Sequence, residues 1–295
     1  MLAQSTSVRL LFTSLVSSLG RETATRELKW MKQALIVSGS PATLPAMMQR
    51  RLRGEPLQYI LGTTPFGPLD LLTRPPTLIP RPETEDWTLR LADMLTPTSA
   101  RPLSVLDLCT GSGCIPLLLC HLWPPGSTRA YGVDISQDAI RLAVDNAARC
   151  NIPSFGPLSL TQSSQNVFVP LLGDIRDPNL FKRVLLPFDV ITANPPYIPK
   201  REYDKLPVSV KNYEDPVALL GDLPGEEPRD GLTFYRLIAQ ILRQKGILRD
   251  GAIVALEVGQ AQANAVEAIL KSVGLRNTQV WKDPWDVERV VLAHA

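Results

Sequence analysis

The chain has 295 residues, 44% of them hydrophobic, enough for one large core or for a large domain beside a small one. Its 31 basic and 29 acidic residues leave a formal charge of +2, so the whole-protein field offers a polyanion such as duplex DNA little attraction. The two histidines, His121 and His294, have no Cys, Asp or Glu at metal-ligand spacing beside them, which gives metal catalysis little basis.

No apolar run reaches the roughly 20 residues of a membrane span, and a soluble monomer without nucleic-acid or membrane contact is expected. The four cysteines, Cys109, Cys114, Cys120 and Cys150, form no CxxC pair and fall in segments that read as core, which predicts free thiols. Residues 1–21 contain no acid, several Ser and Thr, and two Arg. That composition fits a mitochondrial transit peptide and equally the first helix of a small helical domain.

From Glu22 to Arg53 the pattern is helical: Leu28, Met31, Leu35 and Ile36 share a face, and Pro41 and Pro45 interrupt it. Arg50, Arg51 and Arg53 read as a solvated helix face, or else as a docking patch for an acidic or RNA-containing partner. The Gly- and Pro-rich stretch that follows, with short β-like pieces, reads as a hairpin and connector. The predicted organisation is a helical head over 1–54, a connector over 55–80 and a larger domain over 81–295.

Beyond the connector the signals alternate. "EDWTLRLADML" has helical spacing, "LSVLDLCTGSG" is a strand running into a Gly turn, "CIPLLLCHLW" is a helix, "RAYGVDIS" a strand and "QDAIRLAVDNAARC" a helix. Such alternation predicts an α/β fold with a mostly parallel sheet covered by helices on both faces. The third strand has two candidate runs between Asn151 and Asp174, so its position stays open. "FDVITANPP" is the fourth strand; a long polar loop from Ile198 to Arg229, a candidate substrate lid, precedes a helix from Gly231 to Gln244. Strand "GAIVALEVG", helix "QAQANAVEAILKSVG" and a terminal strand pair complete the chain.

Three strand ends carry chemistry. Thr110, Gly111, Ser112 and Gly113 form a Gly turn before a helix, where the backbone can approach a ligand closely. Asp134 ends the next strand, placed to accept both hydroxyl protons of a ribose. Asp174 and Ile175, in "GDIRD", offer a carboxylate for an adenine amino group and an apolar cover for the ring. The Gly turn lacks a Lys, which argues against an ATP-type phosphate cradle, and S-adenosylmethionine fits the set better.

The fourth strand end, "NPPY", holds Asn194, Pro195, Pro196 and Tyr197. Two prolines cannot continue a ladder, so the strand stops in a rigid turn. A carboxamide nitrogen is a poor nucleophile because its lone pair is delocalised, so orientation must make it react. If the Asn194 side-chain oxygen and the Pro195 carbonyl each accept one N–H, the nitrogen is aimed for in-line attack on a methyl group. Tyr197 is placed to stack on the flat substrate group and exclude water.

"NPPY" after a strand, with "DLCTGSG" and "VD" upstream, resembles the class I S-adenosylmethionine-dependent methyltransferases that modify amide or exocyclic nitrogens. "GEPLQYILG", "LIPRPETE", "YEDPVALLG", "DGLTFYRLI" and "DPWDVERVV" narrow the resemblance to the HemK/PrmC family, protein-glutamine N5-methyltransferases of peptide chain release factors. The resemblance runs from about Arg26 to Val291. It implies a Rossmann-like seven-stranded sheet, a helical head that binds the release factor, and S-adenosylmethionine as cofactor. It further implies cofactor contacts at Thr110, Gly111, Ser112, Gly113, Asp134, Asp174, Ile175 and Asn194. The glutamine of a Gly-Gly-Gln motif would be held by Asn194, Pro195, Pro196 and Tyr197.

Cys109 stands where many relatives have Gly, and Ile175 where some have an aromatic residue. The head and the acid-poor leader suggest a mitochondrial member, with the cytoplasm as the alternative. Glu83 and Glu85 of "RPETE" are second candidates for positioning cofactor or loop, and helix-end charges explain them equally. The alternatives are an RNA or DNA base N-methyltransferase, which would want a basic, aromatic-bearing arm, and a non-catalytic release-factor-binding protein.

Overall fold

The computed structural model describes residues 2–37, 42–156, 163–225 and 227–295. Helices α1 (Leu2–Leu19), α2 (Arg21–Val37), α3 (Leu44–Leu52) and α4 (Leu57–Leu61) form the head. Leu15, Ala24, Met31, Met47, Met48, Leu57 and Ile60 meet in its core. Two of those belong to α4, so the helical part of the head runs on to Leu61. The interruption predicted at Pro41 lies outside the described residues, while Pro45 opens α3 behind Thr43, whose hydroxyl caps the helix at the Ala46 amide.

Two of the three clustered arginines are engaged within the head, while Arg53 is exposed. Arg50 is paired with Glu55, and Arg51 with Glu27 at 2.7 Å, with side chains only 17% and 7% exposed. Neither arginine reads as a free docking charge.

The hairpin β1 (Thr63–Phe66) and β2 (Leu69–Leu72) buries Phe66, Leu69 and Leu71 against the larger domain. Helix α5 (Pro82–Met94) starts with Pro at its first position and Glu83 and Glu85 in its first turn, both suited to a helix N-terminus. Its buried face, Thr84, Trp87, Thr88, Leu91 and Ala92, follows the i, i+3, i+4, i+7, i+8 rule.

Strands β3 (Leu103–Leu108), β4 (Thr128–Asp134), β5 (Val167–Leu172), β6 (Phe188–Ala193), β7 (Leu248–Glu257), β8 (Arg276–Lys282) and β9 (Glu288–His294) make one seven-stranded sheet in the order β5-β4-β3-β6-β7-β9-β8. All neighbours are parallel except β9, which runs antiparallel to both β7 and β8. With period 2, Leu106, Tyr131, Ile191 and Val254 point to one face, while Val105, Ala130, Val190 and Ile253 point to the other. Helices α6 (Cys114–Leu122) and α7 (Gln137–Arg149) join α5 on the second face. The lid segment carries the short helices α8 (Lys200–Tyr203) and α9 (Val208–Lys211), and after it α10 (Thr233–Leu242) and α11 (Ala263–Ser272) cover the first face.

The third strand is Val167–Leu172; the competing run at residues 157–162 lies outside the described residues. Pro170 is tolerated because β5 is an edge. The Phe168 amide faces outward to the Pro153 carbonyl, so Pro170, two residues on, lacks its N–H on the side where the sheet has no further strand. The four thiols are free: Cys114 and Cys120 are buried, Cys109 and Cys150 half-buried.

Candidate active site

The chain crosses from β5 back to β6 on the other side of β3, so the crevice for a ligand opens at the carboxyl ends of β3 and β6. Register fixes who meets there. Leu108 pairs with Val133 and with Ala193, and Ala193 pairs with Leu256. The next residues, Cys109, Asp134, Asn194 and Glu257, therefore stand in a row along the sheet edge. A cavity opens above that row. Cys109, Gly111, Asp134, Asp174, Ile175, Asn194 and Pro196 line it, together with Asp215, Val217, Ala218 and Leu223 of the lid.

Asp134 accepts the Gly111 amide at 2.8 Å on one oxygen and the Ser136 amide at 2.9 Å on the other. Those bonds fix the carboxylate plane and leave lone pairs for ribose hydroxyls. Burial holds its pKa above the usual carboxylate range, against the pull of the two amides. Asp174 is bound by Arg176 at 2.6 Å, which keeps its pKa low. Among the described residues, three carboxylates, Asp134, Asp174 and Asp215, face this cavity, while the one basic side chain there, Arg176, is engaged by Asp174. That charge balance favours a cationic ligand over a phosphate, and the walls of Val133, Ile135, Ile175 and Phe234 suit a flat apolar ring. The donor set and the walls fit S-adenosylmethionine.

The rest of the Gly turn supports the site from beneath, outside the cavity lining. The Thr110 hydroxyl donates to buried Asp107 at 2.6 Å, and Asp107 also accepts from Thr192 at 2.7 Å. The Ser112 carbonyl accepts from Asn146, whose side chain also grips Leu72 of the hairpin. Gly113 packs on α7, where a Cβ would come within 3.1 Å of Ala143. These three hold the loop's shape, while Gly111 presents the backbone. Cys109 adopts φ +58°, a left-handed conformation that Gly enters without cost, and its thiol is pushed well above its ordinary pKa by burial and by Asp134. A protonated thiol does not compete for a methyl group.

The "NPPY" corner divides in the same way. Asn194 and Pro196 line the cavity, and the Asn194 amide nitrogen donates to the Thr84 hydroxyl at 3.2 Å. Pro195 is buried beneath. The Tyr197 ring lies against the core around α10, α11 and Gly259 instead of projecting into the cavity. The stacking expected of it is not the arrangement in this structure; burial of the phenol raises its pKa. The Tyr197 carbonyl is gripped by the Gln262 amide at 2.9 Å, and Gly231, at φ +73°, approaches it so closely that a Cβ would be 2.3 Å away.

Sequence reasoning passed over Thr84, Glu257, Glu214 and Gln262. The signal for two of them was present: "RPETE" has a Thr between its acids, and "GAIVALEVG" places one acid at the end of an apolar strand. Arg81 of "RPETE" reaches Glu214 of the lid at 2.5 Å, and the Glu214 side chain is 1% exposed.

No protein-family model matches the chain. It is 38% identical over 260 residues to the release factor glutamine methyltransferase of Thermodesulfovibrio yellowstonii, covering 87% of this chain and 82% of that protein. It is 36% identical over 253 residues to the enzyme of the same description from Geobacter sulfurreducens, covering 85% and 77%. The crystal structure of a methyltransferase from Pyrococcus furiosus shares the fold at a TM-score of 0.50 and 16% identity, covering 77% of this chain and 88% of that one. With the sheet order, the acid-lined cavity and the Asn194 corner on one edge, these relatives establish that the chain belongs to the release factor glutamine methyltransferase family.

Proposed function

We propose that Asn194, with the Pro195 carbonyl, is the device by which this chain carries out the family's reaction, methylation of a release-factor glutamine at its side-chain nitrogen. The enzyme is S-adenosylmethionine-dependent, and when bound the cofactor supplies a methyl group on a sulfonium. Asp134 would hold its ribose, Gly111 and Cys109 would face it with backbone, and Ile175 would cover the adenine. The observation that carries this reading is that Asn194 and Asp134 line one cavity from strand ends on either side of β3.

The residues' part in the reaction is orientation. Asn194 Oδ1 has no donor among the described residues and is left to accept one N–H of the substrate carboxamide; the Pro195 carbonyl, on a buried residue outside the cavity lining, would have to be reached from the Asn194 side to take the second. Both acceptors are preorganised by the prolines, which makes them more effective than solvent at holding the nitrogen in line. The lid residues Val217 and Leu223 add apolar wall to the cavity. Asn194→Ala should lower kcat about 10²- to 10³-fold, the loss seen for one preorganised polar group, with cofactor affinity nearly unchanged. Mass spectrometry of the Gly-Gly-Gln peptide after incubation reads this as loss of the one-methyl increment, and near-normal turnover would remove the mechanism.

The finer readings are a monomer that makes no direct contact with nucleic acid and works in the mitochondrial matrix. The near-neutral charge supports the second and the acid-poor residues 1–21 the third. Light scattering, electrophoretic retention of RNA and the location of a fluorescent fusion test them in turn, with the cytoplasm as the alternative compartment.

A further inference from the structure

Thr84 lies between two partners whose hydrogen-bonding capacities are unequal. Its hydroxyl donates to Glu257 Oε2 at 2.7 Å, and the same oxygen accepts the Trp87 indole N–H at 2.8 Å. Glu257 and Thr84 are both about 1% exposed, and each of these bonds is enclosed by protein. A hydroxyl has one proton. With that proton committed to a carboxylate oxygen, the Thr84 oxygen can only accept, so the group it meets on its other side must be a donor. That group is the Asn194 side chain, 3.2 Å away.

A carboxamide is nearly symmetric in shape and opposite in polarity at its two ends. Rotated by half a turn, Asn194 would present NH₂ to the cavity and repel the N–H groups of a substrate carboxamide. We propose that Thr84, polarised by Glu257, is a positioning residue that fixes the Asn194 amide with its nitrogen inward and its oxygen toward the substrate. The relay runs Trp87 and Thr84 to Glu257, and Asn194 to Thr84, with every proton pointing away from the cavity. It links the Thr of "RPETE" to the Asn of "NPPY", segments 110 residues apart. The inference rests on Asn194 being the acceptor for the substrate amide.

The test compares Thr84→Val, which keeps the shape and removes the hydroxyl, with Thr84→Ser, which restores it. Thr84→Val should lower kcat about 10- to 100-fold, as misorientation of a reacting group does, and leave cofactor affinity by calorimetry within about twofold. Thr84→Ser should recover most of the loss. In an Asn194→Ala background Thr84→Val should add nothing, since the group it positions is gone. Normal kcat in Thr84→Val overturns the relay while leaving the Asn194 reading intact; normal turnover in Asn194→Ala overturns both. Should Thr84→Val fail to fold, the wild-type enzyme still decides. One of the two Asn194 side-chain amide protons, assigned by its absence in Asn194→Ala, should exchange with solvent more slowly than the other, and equally fast exchange of both would overturn the proposal.

Discussion

At Cys109 a side chain occupies a backbone conformation that costs an L-residue about 1–2 kcal/mol and is free to Gly. Cys109→Gly should relieve that strain and loosen the unfolded chain, two effects of opposite sign and similar size, so stability by urea denaturation should change by less than about 1 kcal/mol. The same change widens the floor of the cavity beside Asp134. Gly231 is the opposite case: at φ +73°, a Cβ there meets the Tyr197 carbonyl at 2.3 Å and the Gln262 side chain at 2.8 Å, so the backbone of the corner has to shift. Gly231→Ala should therefore displace the "NPPY" turn and lower kcat at least 10-fold. Retained activity with a shifted Tyr197 signal would show the corner to be softer than its packing implies.

The lid is tied down at the level of elements. Tyr213 donates to the Arg53 carbonyl of the head at 3.4 Å, Glu214 pairs with Arg81 at the start of α5, and the Asp215 amide donates to the Pro76 carbonyl of the connector at 2.8 Å. Three consecutive residues thus join head, connector and larger domain, and the next ones, Val217 and Ala218, line the cavity. Glu214→Ala leaves Arg81 without its carboxylate and frees the lid, which should weaken cofactor binding about 5- to 30-fold, the equivalent of 1–2 kcal/mol. Calorimetric affinity equal to wild type would detach the lid from the pocket. Helix α1 bears on the leader in a similar way: Leu15 is fully buried among α2 and α3 residues, so deleting residues 1–21 should destabilise the head and expose Met31 and Met48. Loss of the head's cooperative melting by circular dichroism checks this.

For the molecule as a whole, the acids beneath the site set a pH dependence. Burial holds Asp107 up to about 7, against the hydrogen bonds of Thr110 and Thr192, and Asp134 and Glu257 are shifted in the same direction by burial. A carboxyl group whose folded pKa exceeds its unfolded value binds its proton more tightly when folded. Its contribution therefore favours the folded state most at low pH and declines as pH rises from about 4 to about 7. Asp174, Asp230 and Asp283, with lowered values, act in the opposite sense at more acidic pH. Asp107→Asn keeps an acceptor for Thr192 and removes the titration. The fall in urea midpoint between about pH 4 and pH 7 should be shallower in that variant, and an unchanged slope would assign the effect elsewhere.

How much of this was legible in the chain follows from the range of the forces involved. The strand-turn-helix alternation, the Gly turn, Asp134 and the "NPPY" corner could be read from sequence because period-2 and period-3.6 patterns, proline's missing donor and glycine's freedom act within a few residues. The third strand was ambiguous because two apolar runs had equal local merit, and only pairing with β4 selects Val167–Leu172. Thr110, Ser112 and Gly113 could be recognised as a ligand loop, yet which of its groups face the ligand depends on partners such as Asp107 and Asn146, brought in by other strands and helices. Glu257 became the neighbour of Asn194 because β6 and β7 pair in one register, and Thr84 joined them because α5 packs on that face. Local chemistry wrote the parts; long-range register and packing decided which of them touch, since a hydrogen bond three ångströms long carries no trace in sequence of a partner a hundred residues away.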